Sequence, residues 1–259
     1  MKLRVMLLAL LLPFLAMNKV VLAAQDVPVI AAASSIKFAL DDIARQFTQE
    51  TGRKVRISYG SSGNFVAQIR NGAPFELFLS ADERYITQLA KAQQTPDQGV
   101  IYAVGQLAIA APKSSPLPLD ANLEGVKQFL DSKQLKRFAI ANPEHAPYGE
   151  RAKEVLQKLG LWQDIQPNLV FGENVSQAAQ FAVSGATQGG LVALSLAVAK
   201  PFKARANYVV IPQEYYTPLD QRMVLTLKAG ETAKLFYTYL QSEAAQSVFA
   251  DYGFARAMN

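Results

Sequence analysis

The sequence predicts an α/β protein of two lobes, each with a mixed, mainly parallel sheet flanked by helices, and with a ligand cleft between the lobes. Apolar segments of strand length alternate with amphipathic helical segments almost throughout the chain, and the alternation restarts near its middle. Short turns that contain Ser or Gly follow strands in both halves. Because open parallel sheets bind ligands beyond the carboxyl ends of their strands, we expect these turns to face one another across the cleft.

The first 24 residues have the pattern of a secretory signal peptide. Lys2 and Arg4 form a positive start, residues 5–17 are an apolar run, and Ala23 and Ala24 lie at a small-residue cleavage site. The alternative is a membrane anchor, but 13 apolar residues fall short of the roughly 20 that span a bilayer. We therefore expect residues 1–24 to be removed and the mature protein to be periplasmic.

The composition excludes several classes of protein. The chain contains no cysteine, so we expect neither disulfides nor a lipid-bearing cysteine. Without Lys2, Arg4 and Lys19 the 26 basic residues fall to 23 against 21 acidic ones, a formal net charge of +2. No basic run in the sequence points to nucleic acid. We expect a monomer that diffuses freely in the periplasm of a two-membrane cell.

The elements of the first half follow one another closely. Residues 27–33 predict a short strand, and the apolar residues of the next helix recur at helical spacing until Gly52 ends it. Residues 55–59 predict the second strand. A second helix with an apolar stripe ends before Gly72, and residues 77–79 predict a third, buried strand.

The second half repeats this order of elements. Apolar segments predict four strands, at residues 107–111, 138–141, 169–171 and 208–211, and a short strand or turn at 190–193. Helical spacing predicts helices at 123–130, at 155–159 and from 175 to 183. A single last helix that contains Phe236 and Val248 closes the chain.

The chain is predicted to pass between the lobes twice. The first crossing is near Gly105, and the return is near residues 216–221, where a proline precedes a new strand pattern. Lobe one then comprises residues 25–104 plus 217–259, and lobe two comprises residues 105–216.

Four short stretches lie where an amphipathic helix is expected to begin, at residues 33–35, 60–63, 147–149 and 173–176. A helix start presents N–H groups without partners and the positive end of the helix dipole. Several such starts that converge would hold an anion without any Arg or Lys. The alternative is that the serines only cap their helices, while Tyr148 and Val175 only pack in the interior.

An enzyme or a metal site would need other residues. His145 is the only histidine, no Gly-x-Ser-x-Gly turn presents a nucleophile, and no His-Glu-x-x-His sequence is present. His145 itself is expected to lie on the surface in a loop flanked by prolines. We therefore predict no enzymatic activity, no cofactor and no directly bound metal cation.

Five segments in order carry a resemblance to one known family: AAAS at 31–34, YGSSGN at 59–64, NGAPFELFLSAD at 71–82, NPEHAPYG at 142–149 and GENV at 172–175. With these segments the chain resembles the periplasmic molybdate-binding proteins (ModA family), the substrate-capture components of molybdate ABC transporters. The match extends from about residue 29 to residue 254. It implies a periplasmic-binding-protein fold of type II and high-affinity capture of molybdate and tungstate.

The resemblance also implies roles for individual residues. Ser34 is similar to the first oxyanion-binding hydroxyl of the family, with Ser35 beside it, and Ser62 resembles the second. Tyr148 occupies a position that donates through its N–H or its hydroxyl, and Val175 would donate its backbone N–H. Some family members place a liganding tyrosine where this chain has Ala193, so Tyr148 is the expected substitute.

A site of hydroxyl and N–H groups supplies donors and no obligatory acceptor, which suits a tetrahedral dianion without protons. Lys37 is the one cation close in sequence to a proposed donor, and we expect it to be solvated.

Other solutes are the alternatives. An amino acid would call for an Arg to pair with its carboxylate, and the four turns contain none. A sugar would call for aromatic stacking, and Trp162 follows a helix end. Sulfate or another tetrahedral oxyanion would use the same donors and stays open. The resemblance implies an inner-membrane ABC permease with its ATPase as the partner.

Overall fold

A computed structural model describes residues 27–256 of the chain, so the predicted signal peptide, residues 1–24, lies outside the described residues. The strands are β1 Val29–Ala33, β2 Arg56–Gly60, β3 Phe75–Leu79, β4 Val100–Gly105, β5 Leu107–Pro112, β6 Phe138–Ala141, β7 Leu169–Gly172, β8 Gly190–Ala193, β9 Ala206–Val210 and β10 Leu219–Leu225. The α-helices are α1 Lys37–Thr51, α2 Ser62–Arg70, α3 Glu83–Lys91, α4 Glu124–Asp131, α5 Pro147–Lys158, α6 Trp162–Ile165, α7 Val175–Val183, α8 Leu194–Ala197, α9 Lys200–Lys203, α10 Glu231–Tyr239 and α11 Glu243–Asp251.

The strands form two mixed sheets of five strands each. The first has the order β2-β1-β3-β10-β4, in which β1 is parallel to β2 and β3, while β10 runs antiparallel to β3 and β4. The second has the order β7-β6-β8-β5-β9, with β6 parallel to β7 and β8, and with β5 antiparallel to β8 and β9. The predicted fold class, two mixed sheets flanked by helices, is confirmed, but the sheets are not mainly parallel: each has two parallel and two antiparallel pairings. We call each sheet with its helices the first and the second lobe.

The first helix shows why the sequence pattern predicts these elements well. Leu40, Ile43 and Phe47 recur at helical spacing and are buried against the first sheet. Gly52 ends the helix in a left-handed conformation, with φ of +69°, which glycine adopts without the cost that a Cβ imposes. A short 3-10 turn, Ser34–Ile36, joins this helix to β1.

Each sheet has its own hydrophobic core. In the first lobe, Phe47 of α1 packs edge-on against Phe236 of α10, with ring centroids 5.0 Å apart. In the second lobe, Phe138 and Ile140 of β6 are fully buried beneath helices α5 and α7. The strands β5, β6 and β8 are buried almost along their full length, as expected where helices cover both faces of a sheet.

Several parts of the fold differ from the sequence-based expectation, and strand β4 and the one-turn helix α6 are among those that were not predicted. The single last helix is wrong: the chain forms α10 and α11, and the Ser242 hydroxyl between them caps α11 by accepting a hydrogen bond from the Ala245 N–H. The helix α3, which begins at the cap residue Asp82, was not predicted. Neither were the one-turn helices α8 and α9, which are too short to show a helical period.

Two chain segments connect the sheets, one between Gly105 of β4 and Leu107 of β5, and one between Val210 of β9 and Leu219 of β10. The predicted lobe ends, 25–104 plus 217–259 for one lobe and 105–216 for the other, stay a prediction. Among residues 27–256, no helix is long and apolar enough to cross a membrane.

Candidate functional site: a donor-lined cavity between the lobes

The five residues predicted for the site lie together around one small cavity between the lobes. The cavity is small and partly open to solvent. Its lining comes from all four predicted stretches and from two further residues, one after β3 and one just before α5: Ala33, Ser34, Ser35, Gly60, Ser61, Ser62, Ala81, Ala146, Pro147, Tyr148 and Val175. The structure therefore brings together chain segments that are up to 142 residues apart in sequence.

Each stretch reaches the cavity because a helix begins there directly after a strand. Ser62 is the first residue of α2 after β2, and Tyr148 is the second residue of α5 after β6. Val175 is the first residue of α7 after β7. The first N–H groups of a helix have no partner within the helix, and they carry the positive end of its dipole. Three such ends meeting at one cavity favour an anion.

The two serine hydroxyls do not cap their own helices. No side-chain cap bond is formed at the start of α2 or of the turn Ser34–Ile36. Instead the Ser62 hydroxyl accepts a hydrogen bond from the Ala81 N–H at 3.0 Å. The Ser34 hydroxyl accepts one from the Ser176 N–H at 3.2 Å. Since an N–H group can only donate, each serine keeps its own proton for another acceptor.

Tyr148 follows the same rule. Its hydroxyl oxygen accepts a hydrogen bond from the Gln221 side-chain nitrogen at 3.0 Å, so the phenolic proton is left to donate. Burial raises the pKa of Tyr148 far above its ordinary value, so the hydroxyl stays protonated at neutral pH. The Ser35 hydroxyl is also buried. It has no hydrogen bond of good geometry to another described residue, but it lies close enough to the Tyr148 hydroxyl to lower the pKa that burial raises.

No charged side chain is among the described residues that line the cavity. Lys37 forms an ion pair with Asp41 at 2.9 Å and lies over the ring of Tyr59, so it does not reach the cavity. Glu150 pairs with Arg84 and Arg151 instead of facing the cavity. Any charge on a ligand would therefore be met by hydroxyl protons and helix N–H groups alone.

The acidic residues nearest the predicted turns also point elsewhere. Glu173 accepts a hydrogen bond from the Asn64 side chain at 2.6 Å, and Glu144 is exposed. Within residues 27–256, no group of three or more His, Asp or Glu side chains is arranged to hold a metal ion.

The sequence did not reveal a buried ion pair that joins the lobes beside the cavity. Arg151 of α5 is 3% exposed and lies 2.5 Å from the carboxylate of Asp82, the cap residue of α3. Arg84 completes the cluster by pairing with Asp82 in its own lobe and with Glu150 in the other. Arg151 and Asp82 are 69 positions apart, so no local sequence pattern predicts their contact. The one available signal is that acidic and basic residues lie side by side near the starts of both α3 and α5.

His145 lies closer to the site than the sequence suggested. Its ring is partly buried, and Nδ1 lies 2.9 Å from the Ser61 hydroxyl of the other lobe. Its backbone carbonyl accepts a hydrogen bond from the Gly63 N–H at 3.0 Å. A Cβ at Gly63 would lie 2.8 Å from that carbonyl oxygen, so the contact depends on glycine. The histidine is thus part of the contact between the lobes and not a free surface residue.

Ala193 ends β8 and is fully buried, but it does not line the cavity. Tyr148 does line it, and its role as the substitute for a liganding tyrosine at position 193 stays a prediction.

Comparison with known proteins places the chain in a family. Residues 28–255 match the model of a family described as bacterial extracellular solute-binding protein. The molybdate-binding protein ModA of Rhodobacter capsulatus is 35% identical over 235 residues, which cover 90% of this chain and 89% of that protein. The protein of the same name from Azotobacter vinelandii is 36% identical over 228 residues, which cover 87% of this chain and 88% of the relative.

A solved structure supports the same assignment. The periplasmic molybdate-binding protein of Azotobacter vinelandii superimposes with a TM-score of 0.81 at 31% identity, and the match covers 89% of this chain and 100% of that one. The chain therefore belongs to the bacterial extracellular solute-binding proteins and, within them, to the ModA family.

Proposed function

We propose that this protein captures molybdate or tungstate in the periplasm and delivers the ion to an inner-membrane ABC permease with its ATPase. One observation carries the proposal: Ser34, Ser62 and Tyr148 each accept a hydrogen bond from an N–H group, so each has its own proton free for the cavity that they share. The names of the relatives that align along most of the chain support molybdate as the ion.

The donor set supports an oxyanion that carries no proton. Molybdate and tungstate are fully deprotonated tetrahedral dianions near neutral pH, and all of their oxygens accept. Phosphate keeps at least one proton, and that O–H would need an acceptor in the cavity. The described lining residues include no carboxylate that could serve as that acceptor.

Sulfate is the second candidate because it is also a dianion without protons and would use the same donors. It is smaller than molybdate, so a cavity whose walls are fixed by Tyr148 and Val175 would hold it with longer hydrogen bonds. We propose that the size of the closed cavity, and not the type of donor, excludes sulfate.

Calorimetric titration of the purified, dialysed mature protein with molybdate, tungstate, sulfate and phosphate tests the proposal. We expect tight one-to-one binding of the first two ions and weak or absent binding of the others. A preference for sulfate would replace the proposed ligand while keeping the donor-lined cavity. Absence of binding to all four ions would mean that the four helix starts serve only the fold.

The transport role has a separate test. Cells that lack this protein should take up less molybdate at low external concentration, and the full chain should restore the uptake. A variant without residues 1–24 should stay in the cytoplasm and fail to restore it. Full restoration by that variant would contradict a periplasmic role.

A further inference from the structure

Gln221 lies outside the cavity, yet its side chain contacts one of the cavity residues. It is a residue of β10 in the first lobe and is fully buried. The amide is held between two tyrosines: its nitrogen donates to the Tyr148 hydroxyl at 3.0 Å, and its oxygen accepts from the Tyr102 hydroxyl at 2.8 Å. The contact to Tyr148 crosses from one lobe to the other.

The orientation of this amide decides what Tyr148 presents to the cavity. With the nitrogen toward Tyr148, the hydroxyl oxygen accepts, and its proton is free to point at a bound anion. With the amide reversed, its oxygen would accept a hydrogen bond from the Tyr148 hydroxyl, and the lone pairs of that hydroxyl would face the anion. The first arrangement adds a donor to the site, and the second removes it.

Tyr102 fixes the productive orientation. Its hydroxyl is buried and lies closer to the Gln221 oxygen, at 2.8 Å, than to the Ser80 carbonyl oxygen, at 3.4 Å. A hydroxyl that donates to the amide oxygen holds the amide nitrogen on the opposite side, toward Tyr148.

Two features of the backbone leave room for the contact between Gln221 and Tyr148. The pairing of β10 with β4 shifts register between Gln221 and Arg222, an irregularity of the kind that re-aims a side chain. Gly105 of the neighbouring strand β4 lies next to this contact, and a Cβ there would be 2.3 Å from the Tyr148 hydroxyl oxygen and 2.6 Å from the Gln221 nitrogen. The contact therefore fills the space that a side chain at position 105 would need.

We propose that Gln221, oriented by Tyr102, is a positioning residue that fixes the Tyr148 hydroxyl as a donor to the bound oxyanion. The proposal rests on the proposed function, because it assigns a role toward the same ligand. It implies that part of the selectivity for unprotonated oxyanions is set from the junction between the lobes and not from the cavity wall.

A double-mutant cycle separates positioning from a structural role. Gln221→Met keeps the length of the side chain but removes the amide, and Tyr148→Phe removes the hydroxyl that the amide orients. We expect Gln221→Met to weaken molybdate binding about 5- to 10-fold by calorimetry in the natural background and less than about 2-fold in Tyr148→Phe. An equal loss in both backgrounds would overturn the proposal.

The charge variant Gln221→Glu supplies a second readout. A carboxylate can only accept hydrogen bonds, so the introduced side chain would accept one from the Tyr148 hydroxyl, and that hydroxyl could no longer donate to the anion. We expect molybdate binding to weaken by at least about 30-fold at pH 8. Because burial raises the pKa of a carboxyl group, the affinity should recover as the pH is lowered from 8 to 6. If molybdate affinity of Gln221→Glu changes between pH 8 and pH 6 no more than that of the natural protein, the proposal is contradicted.

The tyrosines around the amide do not titrate in that range. Tyr102, Tyr148 and Tyr216 adjoin the amide or one another, and burial raises the pKa of each above its ordinary value. Gln106→Glu is the matched control, since Gln106 bonds the Gly253 carbonyl oxygen near the same junction. It should show no comparable recovery.

The two proposals fail in distinguishable ways. If the natural protein binds none of the four oxyanions, the proposed function fails and the role of Gln221 fails with it. If the natural protein binds molybdate but the two substitutions at positions 221 and 148 are additive, only the role of Gln221 fails. Thermal unfolding of each variant shows whether it is folded, and Gln221→Met decides the question if Gln221→Glu does not fold.

Discussion

The two lobes contribute different kinds of donor to the cavity. The first lobe supplies the serine hydroxyls of Ser34, Ser35 and Ser62, whereas the second supplies one phenol, Tyr148, and the start of α7 at Val175. Serine side chains are small, while the tyrosine is large and fully buried. The second lobe therefore sets the width of the cavity, and the first lobe supplies most of its hydroxyl protons.

The donors also differ in what orients them. Ser62 accepts its hydrogen bond from Ala81 in its own lobe. Ser34 accepts from Ser176 of the second lobe, and Tyr148 accepts from Gln221 of the first. Only Ser62 is thus oriented before the lobes meet, and contact between the lobes orients the other two. If the lobes move apart when no ion is bound, as the proposed function implies, closing the cleft would also complete the site, so residues that only join the lobes should affect affinity.

The largest effect is expected from the buried ion pair between the lobes. Arg151→Met removes the partner of Asp82 from the second lobe, and Asp82 keeps only Arg84 of its own lobe. Breaking a buried ion pair costs about 3–5 kcal/mol when a charge is left unpaired. Because Asp82 keeps Arg84, we expect the lower end, roughly 150-fold in molybdate affinity by calorimetry. Arg256→Met is the control, because Arg256 forms an exposed pair with Glu243. Equal affinity of Arg151→Met and the natural protein would mean that the pair does not support closure.

The next effect tests the difference between Ser62 and Ser34. Ser62→Ala removes a donor and leaves the Ala81 N–H buried without its partner, which should cost about 1.5–3 kcal/mol of binding free energy. Ser34→Ala should cost less, because the Ser176 N–H keeps its bond to the Asn174 side chain at 3.0 Å. Ser132→Ala, at an exposed serine that ends α4, is the matched control for both titrations. A larger loss in Ser34→Ala would reverse the comparison of the two serines.

The dependence of the free energy of unfolding on alkaline pH allows a comparison of the buried tyrosines of the two lobes. Burial raises the pKa of Tyr102 in the first lobe and of Tyr148 in the second well above 10. The folded protein then holds these protons more tightly than the unfolded chain does. The free energy of unfolding should be level below pH 10 and fall above it, by up to about 1.4 kcal/mol per pH unit for each tyrosine.

Denaturant unfolding at pH 8, 10 and 11 measures this slope. Tyr102→Phe and Tyr148→Phe should each make it shallower by a similar amount. If neither substitution changes the slope, these two tyrosines do not hold their protons in the way that their burial implies.

The smallest effect is expected at the rim of the cleft. His145→Ala removes the contact of the ring with the Ser61 hydroxyl but keeps the backbone bond from the Gly63 N–H to the carbonyl of residue 145. One neutral hydrogen bond is worth about 0.5–1.5 kcal/mol, so we expect molybdate affinity to fall about 2- to 10-fold. A loss as large as that of Ser62→Ala would place His145 in the site itself.

The sequence predicted the parts of the site that have a local pattern. Ser34, Ser62, Tyr148 and Val175 each lie where a helix begins after a strand, and a strand end followed by a polar turn is visible in one chain. The alternation of strands and helices likewise predicted two mixed sheets. The role of each predicted residue as a ligand donor stays a prediction.

What the sequence did not predict depends on partners that are distant along the chain. Gln221 meets Tyr148 across 73 positions, and Arg151 meets Asp82 across 69. Neither contact produces a periodic or local pattern in the sequence, because each forms only where the two lobes meet. The split of the last helix into α10 and α11 was missed for another reason: apolar residues continue on both sides of the cap at Ser242.

The number of protons exchanged when molybdate binds tests the central claim most directly. Calorimetric titrations at pH 7.5 in buffers with different ionisation enthalpies give this number. A cavity of neutral donors that receives an unprotonated dianion should neither take up nor release protons, so the observed enthalpy should not depend on the buffer after dilution is subtracted. Uptake of about one proton per ion would show that the ligand or an acceptor in the cavity is protonated on binding, and the donor-only account would then be wrong.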